Sequence, residues 1–157
     1  MDILQALQDS SSASALRGAT TLYPFLNAAH ILSVGLIVGA IGTLDVRVLG
    51  LFKGFALGQL GPPLSRVAAF GVLSAILTGV VIVSVQPVAY VQNPAFLLKL
   101  AFAGLAVLNA VTLHSRMAWH DALEGGEADL SVKAQAAASL SLWVMAVIAG
   151  RWIAFVE

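Results

Sequence analysis

Residues 67–86 read VAAFGVLSAILTGVVIVSVQ and contain no charged side chain. A helix needs about 20 mainly apolar residues to cross the hydrocarbon core of a membrane. The membrane interior offers the backbone no hydrogen-bonding partner, so an apolar stretch of this length has to be helical to span it. Three further stretches match it in length and composition, at residues 24–44, 95–114 and 134–155. The sequence therefore predicts four membrane-spanning helices.

The composition of the whole chain agrees with this prediction. Of the 157 residues, 59% are hydrophobic and 10% are charged, with 8 basic and 8 acidic side chains, whereas a soluble domain carries about 25% charge. The chain is therefore neither a soluble domain, a disordered chain nor a nucleic-acid-binding protein. The absence of cysteine excludes disulfides, thiolate metal sites, iron–sulfur clusters and covalent heme attachment. We expect residues 1–157 to form a single integral membrane domain whose main partner is the lipid bilayer.

The predicted fold is an all-α, antiparallel bundle of four transmembrane helices. Asn93 and Pro94 have the residue types that start a helix, as do Asp129 or Ser131 before the fourth span. The first 23 residues carry acids and a polar run, and we expect them to form a short interfacial helix. Basic residues favour the cytoplasmic side, which places the loops after spans one and three there and both termini on the other side. The basic residues of those loops are Arg47, Lys53, Arg66, Arg116 and Lys133, against Arg17, Lys99 and Arg151 elsewhere.

Three ionisable side chains lie well inside the spans: His30, Lys99 and Arg151. Insertion of such a group costs about 2.5–3.5 kcal/mol, so each is a functional candidate. Counted from the same membrane face, all three lie at a similar depth of ~8–9 Å. Asn27 lies one turn from His30, and no carboxylate occupies that level. Buried cations without an acid call for an anionic partner, so we predict that these four residues form a binding site for an anionic ligand.

Each of these residues also has a structural interpretation. Lys99 and Arg151 can extend their long side chains to the membrane surface, and His30 can be a packing histidine bonded to a backbone carbonyl. Gly35, Gly39 and Gly42 form a stripe of small residues in span one, which is typical of close helix–helix contact. The same stripe is open to a second interpretation, as space for a flat macrocycle.

A second polar group lies where the spans meet the cytoplasmic loops. There we expect Asp45 to form an ion pair with Arg66 or Arg116. His114 and His120 are six residues apart, so on one helix they face different directions. We do not expect them to share a metal ion.

Two stretches resemble an uncharacterised bacterial family of four-helix integral membrane proteins. They are YPFLNAAHILSVGLIVGAIGTLDVRVLG, residues 23–50, and NPAFLLKLAFAGLAVLNA, residues 93–110. The resemblance implies a multi-pass protein of the bacterial inner membrane, in which the distribution of basic residues places both termini in the periplasm. Its recurring parts are His30, Gly35, Gly39, the Asp45–Arg47 pair, Thr78–Gly79, and Asn93-Pro94 through Lys99.

A histidine early in span one, followed by glycines, also resembles the CopD-type copper-resistance proteins and the HemJ-type protoporphyrinogen oxidases. Lys99, early in span three, adds to this likeness. In the HemJ type the histidine of the first helix is associated with b-type heme. The resemblance implies His30 as the axial metal ligand of heme b, with Lys99 close to the porphyrin.

The sequence thus favours a heme-b protein that acts in electron transfer or porphyrin-linked oxidoreduction. Lys99 and Arg151 would pair with the heme propionates, and Asn27 or a backbone carbonyl would orient the imidazole. The second axial position of the iron would be occupied by Met145 or water, or would stay open. Two alternatives stay open: a non-catalytic accessory subunit of a larger membrane complex, and a transporter of a metal or small anion. A redox partner and a homo-oligomer are both compatible with these functions. The spans lack the side-chain sets of conventional hydrolases and transferases.

Overall fold

The structure of the protein is a computed structural model, and it describes residue 5 and residues 21–125 and 127–156. In this part of the chain the secondary structure consists of helices, without a strand. Four of the helices are long and apolar enough to cross a membrane. These findings confirm the predicted all-α, four-helix architecture. The predicted interfacial helix falls, apart from residue 5 and the start of the first span, outside the described residues.

The four spans alternate with short connecting segments. Helix α1 covers Leu22–Val48, α2 covers Leu57–Val85, α4 covers Pro94–His114 and α6 covers Leu130–Trp152, which a 3-10 turn extends over Ile153–Phe155. The short helix α3, Pro87–Gln92, joins α2 to α4, and the short helix α5, Met117–Leu123, joins α4 to α6.

Side-chain caps fix where two of the spans begin. The Asn93 side-chain oxygen accepts a hydrogen bond from the Phe96 backbone N–H at 3.1 Å, and Pro94 follows as the first helical residue. The Asp129 carboxylate accepts one from the Val132 N–H at 2.8 Å. That bond, together with the Ser131 hydroxyl, holds the pKa of Asp129 below its usual value. Both predicted helix starts are confirmed.

Helix α2 begins earlier than the sequence predicts, at Leu57 instead of Val67. Its 29 residues extend over ~43 Å at 1.5 Å per residue, which exceeds a hydrocarbon core of about 30 Å. The first turns carry Pro62, Pro63 and Arg66 and thus extend beyond the apolar layer. A search of the sequence for uninterrupted apolar stretches misses these turns, because two prolines and an arginine interrupt the stretch. The loop after α1 is correspondingly short, residues 49–56.

The spans pack in the order α2, α1, α6, α4. Helix α1 lies against α2 and α6, and α4 lies against α6. We call the end of the bundle that contains Leu22, Val85, Pro94 and Trp152 the His30 end, and the opposite end, with Val48, Leu57, His114 and Leu130, the Trp119 end. Two buried apolar clusters lie at the middle of the bundle and at the Trp119 end. The middle cluster is centred on Ile37, Ala106 and Trp143.

A glycine of α2, not the stripe in α1, brings two spans into close contact. A Cβ on Gly71 would lie 2.8 Å from Ile37 Cγ1 and 3.0 Å from the Ser33 carbonyl oxygen of α1. Gly35 and Gly39 are exposed, and a Cβ built on either would have no heavy atom of another described element within 4 Å. Among the described residues, the expectation that these two glycines form a close helix contact is therefore wrong, because α1 turns its other face toward α2 and α6.

Candidate functional site

The His30 imidazole bridges three of the four spans. On α1 it is half-buried, and its Nδ1 lies 2.9 Å from Thr78 Oγ1 of α2. Its Nε2 lies 3.3 Å from Lys99 Nζ of α4. The two ring nitrogens thus have different partners on different helices.

The hydrogen bonds of Thr78 determine which ring nitrogen carries the proton. The Thr78 hydroxyl donates to the Ser74 carbonyl oxygen at 2.7 Å. Having used its only proton, this hydroxyl can only accept from the imidazole, so His30 Nδ1–H is the donor. The lone pair then lies on Nε2, where it accepts a hydrogen bond from the Lys99 ammonium group. The network fits a neutral imidazole in a single tautomer.

Two glycines make room for these side chains. A Cβ on Gly79 would lie 3.3 Å from His30 Cε1, and a Cβ on Gly150 of α6 would lie 3.3 Å from Lys99 Cδ. Both distances are shorter than ordinary van der Waals contact. The ring therefore lies against the bare backbone of α2, and the lysine stem lies across the bare backbone of α6.

Among the described residues, Lys99 has no acidic partner at this level of the bundle. Its side chain is half-buried, and His30 is the hydrogen-bonding partner that the described residues provide. Isolated charge inside a membrane domain is unfavourable unless it is paired or hydrated. The pair of Lys99 and His30 therefore forms a site that favours negatively charged groups.

The other two predicted site residues do not join this pair. The Arg151 side chain is exposed, and its guanidinium carbon lies 4.6 Å from the centre of the Phe155 ring. Arg151 follows Gly150, which faces Lys99, and successive residues of a helix point about 100° apart. The Asn27 amide donates to the Tyr23 carbonyl oxygen of its own helix at 3.0 Å. Thr78 and the Ala75 backbone carbonyl, both on α2, therefore orient His30, and Asn27 does not take that role.

Aromatic side chains contact one another at the His30 end. Tyr90 of α3 forms a hydrogen bond with Tyr23 of α1, and its ring centre lies 5.2 Å from that of Phe96. Burial, and secondarily the Tyr23 hydroxyl, raises the pKa of Tyr90 to about 12.

Met145, which the sequence offers as a second axial ligand, is 44% exposed on α6.

The histidines of the Trp119 end have protein partners. His114 Nδ1–H donates to the Ala110 carbonyl oxygen at 2.8 Å, and its Nε2 accepts from the Ser65 hydroxyl at 3.1 Å. His120 Nε2 lies 3.2 Å from the His114 carbonyl oxygen. Over residues 21–125 and 127–156, no group of three or more potential His, Cys, Asp or Glu ligands is arranged to hold a metal ion.

Asp45 does not form the ion pair that the sequence suggests. Its carboxylate turns inward between α1 and α6, where it is bonded to Ser139. Arg116 donates instead to the Gln135 side chain at 2.9 Å, and Arg66 is exposed. The expectation fails because Asp45 points into the bundle, whereas both arginines point outward.

Sequence reasoning assigned no role to Thr78, Gly79 and Gly150. Thr78 and Gly79 belong to the recurring parts of the family resemblance, and that recurrence was the available signal. Their residue types alone did not single them out, because the same span also contains Gly71, Ser74 and Ser84. Gly150 offered none, because one glycine in an apolar helix does not indicate what crosses it.

The comparisons with known proteins add no relative. No protein-family model, curated protein or solved structure matches the chain.

Proposed function

We propose that the protein is an integral membrane protein that binds heme b through His30 and acts in electron transfer or porphyrin-linked oxidoreduction. The observation that carries the proposal is the orientation of the imidazole. Iron needs a neutral imidazole nitrogen, with the other nitrogen held by an acceptor. The Nδ1–H bond to Thr78 supplies that acceptor and leaves Nε2 as the ligating atom.

Lys99 supports the proposal because its ammonium group lies against Nε2, the nitrogen that would bind the iron. The lysine stem is long and flexible, and the ammonium needs an anionic partner that the described part of the chain does not supply. A heme propionate is such a partner. Binding would exchange the bond between Lys99 and His30 for two better ones, iron to Nε2 and carboxylate to the ammonium.

Arg151 is available for the second propionate. Its guanidinium is exposed and uses its face against Phe155, which leaves its N–H groups free to pair with a carboxylate. The residues present thus fit the cofactor: one axial nitrogen, a fixed tautomer and two cations at the rim. The heme would supply one-electron chemistry, and the protein would set its position and the access of water.

The proposal includes a location and a partner. We place the protein in the bacterial inner membrane with the His30 end on the periplasmic side, following the distribution of basic residues. An electron-transfer role requires a redox partner at that side or in the same membrane. A homo-oligomer, or an assembly with other membrane subunits, is compatible with the exposed apolar faces of the spans.

The visible absorption spectrum of the detergent-purified protein tests the proposal. We expect a Soret band in protein from heme-replete cells, lost in His30→Ala and restored in His30→Gly by added imidazole. His114→Ala is the matched control, because His114 is a half-buried histidine bonded at the Trp119 end. A folded but colourless protein that stays colourless on heme addition would refute heme binding.

The same site favours a second function, the binding of a small anion. The supporting observation is the ammonium group of Lys99, which is bonded to a neutral imidazole and not to a carboxylate. In that case the colourless protein should gain thermal stability with increasing concentration of an inorganic anion, following ligand linkage. Lys99→Met should abolish that gain, whereas Lys53→Met, which removes an exposed loop lysine, should leave it unchanged.

A further inference from the structure

A carboxyl group lies buried at the Trp119 end, away from the His30 site. Asp45 lies in the last turn of α1 and is 5% exposed. The Ser139 hydroxyl of α6 donates a hydrogen bond to it, whereas Oδ2 is buried and has no hydrogen-bonding partner among the described residues. Its helix neighbours Leu44 and Val48 belong to the apolar cluster at this end. The carboxyl group therefore lies inside the protein, next to an apolar cluster, with one of its two oxygens unpaired.

No cation in the described residues compensates a negative charge on Asp45. Arg47, on the same helix, donates through Nε to the Phe55 carbonyl oxygen at 2.7 Å. Arg66 of α2 is exposed, and Lys133 of α6 lies six residues before Ser139, nearly two turns away. Near this end, His114 and Arg116 are bonded to Ser65 and Gln135, and His120 and Asp121 of α5 are exposed. The other ionisable groups of the spans, His30, Lys99 and Arg151, lie at the His30 end.

An ionised carboxylate in such surroundings is costly. Removal of a charge from water without a paired counter-charge costs several kcal/mol, and buried groups respond by becoming neutral. One serine hydroxyl stabilises one oxygen only. Trp143 Nε1, one turn further along α6 than Ser139, is also buried, and it has no acceptor among the described residues.

We propose that Asp45 is a proton-binding site within the membrane domain. The carboxylate takes one proton from the aqueous phase at the Trp119 end and forms a new O–H bond on Oδ2. Asp45 lies about one helical turn before the end of α1 at Val48. Ser139 keeps its hydrogen bond to the other oxygen. Release of the proton returns it to the same aqueous phase and leaves a charge that is unfavourable in the observed packing of α1 on α6. Proton binding therefore stabilises this packing.

Infrared spectroscopy of the full-length protein in membranes tests this proposal directly. At neutral pH we expect a carbonyl band of a protonated carboxylic acid, which shifts in heavy water and is lost in Asp45→Asn. Asp121→Asn, at an exposed position of α5, should leave the band unchanged. In Ser139→Ala the band should remain but move to higher frequency, because the carbonyl oxygen loses its hydrogen bond.

Two results would overturn the proposal. One is the absence of this band at neutral pH, or its persistence at full intensity in a folded Asp45→Asn variant. The other is a band that appears only after sodium and potassium ions are removed, since the carboxylate would then hold a metal cation. If Asp45→Asn does not fold, the frequency shift in Ser139→Ala decides the assignment.

Discussion

The helices contact one another in different ways at the two ends of the bundle. At the Trp119 end, Trp119, Ala122, Val132 and Ala136 are 0–2% exposed and form one apolar cluster. At the His30 end, the spans meet through hydrogen bonds around a half-buried imidazole. Close apolar packing provides most of the stability of a fold, whereas exchangeable polar contacts suit a ligand. The difference predicts that stability depends mainly on the Trp119 end, whereas the proposed ligand binding belongs to the His30 end.

Removal of the central ring of the Trp119 end should have the largest effect. Trp119→Ala deletes a side chain that is 2% exposed, and such a deletion costs about 3–5 kcal/mol. Thermal unfolding in detergent, followed by circular dichroism, measures the change. Trp152→Ala is the control, because Trp152 is 57% exposed at the His30 end. Equal losses in the two variants would contradict the assignment of stability to the Trp119 end.

Loss of the acceptor for His30 should affect binding and not the fold. Thr78→Val removes the oxygen that fixes Nδ1–H, and loss of such a partner lowers metal affinity by about 10–100-fold. Heme dissociation measured by transfer to an acceptor protein gives this affinity. Thr78→Ser should bind as the original protein does.

The control for this prediction is Thr43→Val. Thr43 is exposed and bonds back to the Gly39 carbonyl oxygen at 2.7 Å, as Thr78 does to its own helix. Its replacement should leave heme affinity unchanged. An unaltered affinity in Thr78→Val would mean that another group orients the imidazole.

The third prediction concerns the end of α6, which is held by Asn93. The Asn93 amide donates to the Ile153 and Val156 carbonyl oxygens at 3.1 and 2.8 Å, and its oxygen caps α4. Asn93→Ala should cost about 1 kcal/mol and speed hydrogen exchange near residues 153–156. Asn109→Ala is the matched variant, because its amide donates to the Gln135 carbonyl oxygen at 3.0 Å. In Asn109→Ala, the faster hydrogen exchange should centre on residue 135. Faster exchange at residues 153–156 in both variants would contradict the assignment of these bonds to Asn93.

At neutral pH the smallest effect is that of Tyr90, because its contribution to the free energy of unfolding changes only at high pH. Because folding raises the pKa of Tyr90 from 10.0 to about 12, the native state disfavours its ionised form. The resulting stabilisation is complete below pH 10 and is lost as the pH rises toward 12. Unfolding midpoints measured across this range should fall more steeply for the original protein than for Tyr90→Phe. Identical slopes would show that Tyr90 is not buried against Tyr23.

The comparison of the two ends also shows what sequence reasoning can find. The similar depth of His30 and Lys99 follows from counting residues along two spans, and the structure joins them at 3.3 Å. Arg151 has a similar depth by the same count, yet it faces outward. Depth depends on position along a helix, whereas contact also depends on rotation about the helix axis.

Rotation is hard to predict here because lipid and protein core are both apolar. In a soluble helix the polar face identifies the side that meets water, but a spanning helix has no such contrast. The exposed positions of Gly35 and Gly39 and the inward position of Asp45 illustrate the problem. Their residue types predict the reverse arrangement, with glycines at the contact and an acid at the surface.

The sequence by itself determined the four spans, the starts of α4 and α6, and the depth at which charged groups enter the membrane. These features depend on local length, charge and capping, which the chain carries residue by residue. Only the tertiary structure decided that Thr78 orients His30, that Gly79 and Gly150 make room for the pair, and that Asp45 faces inward. These contacts join residues far apart in the chain, and they depend on how each helix is rotated against its neighbours.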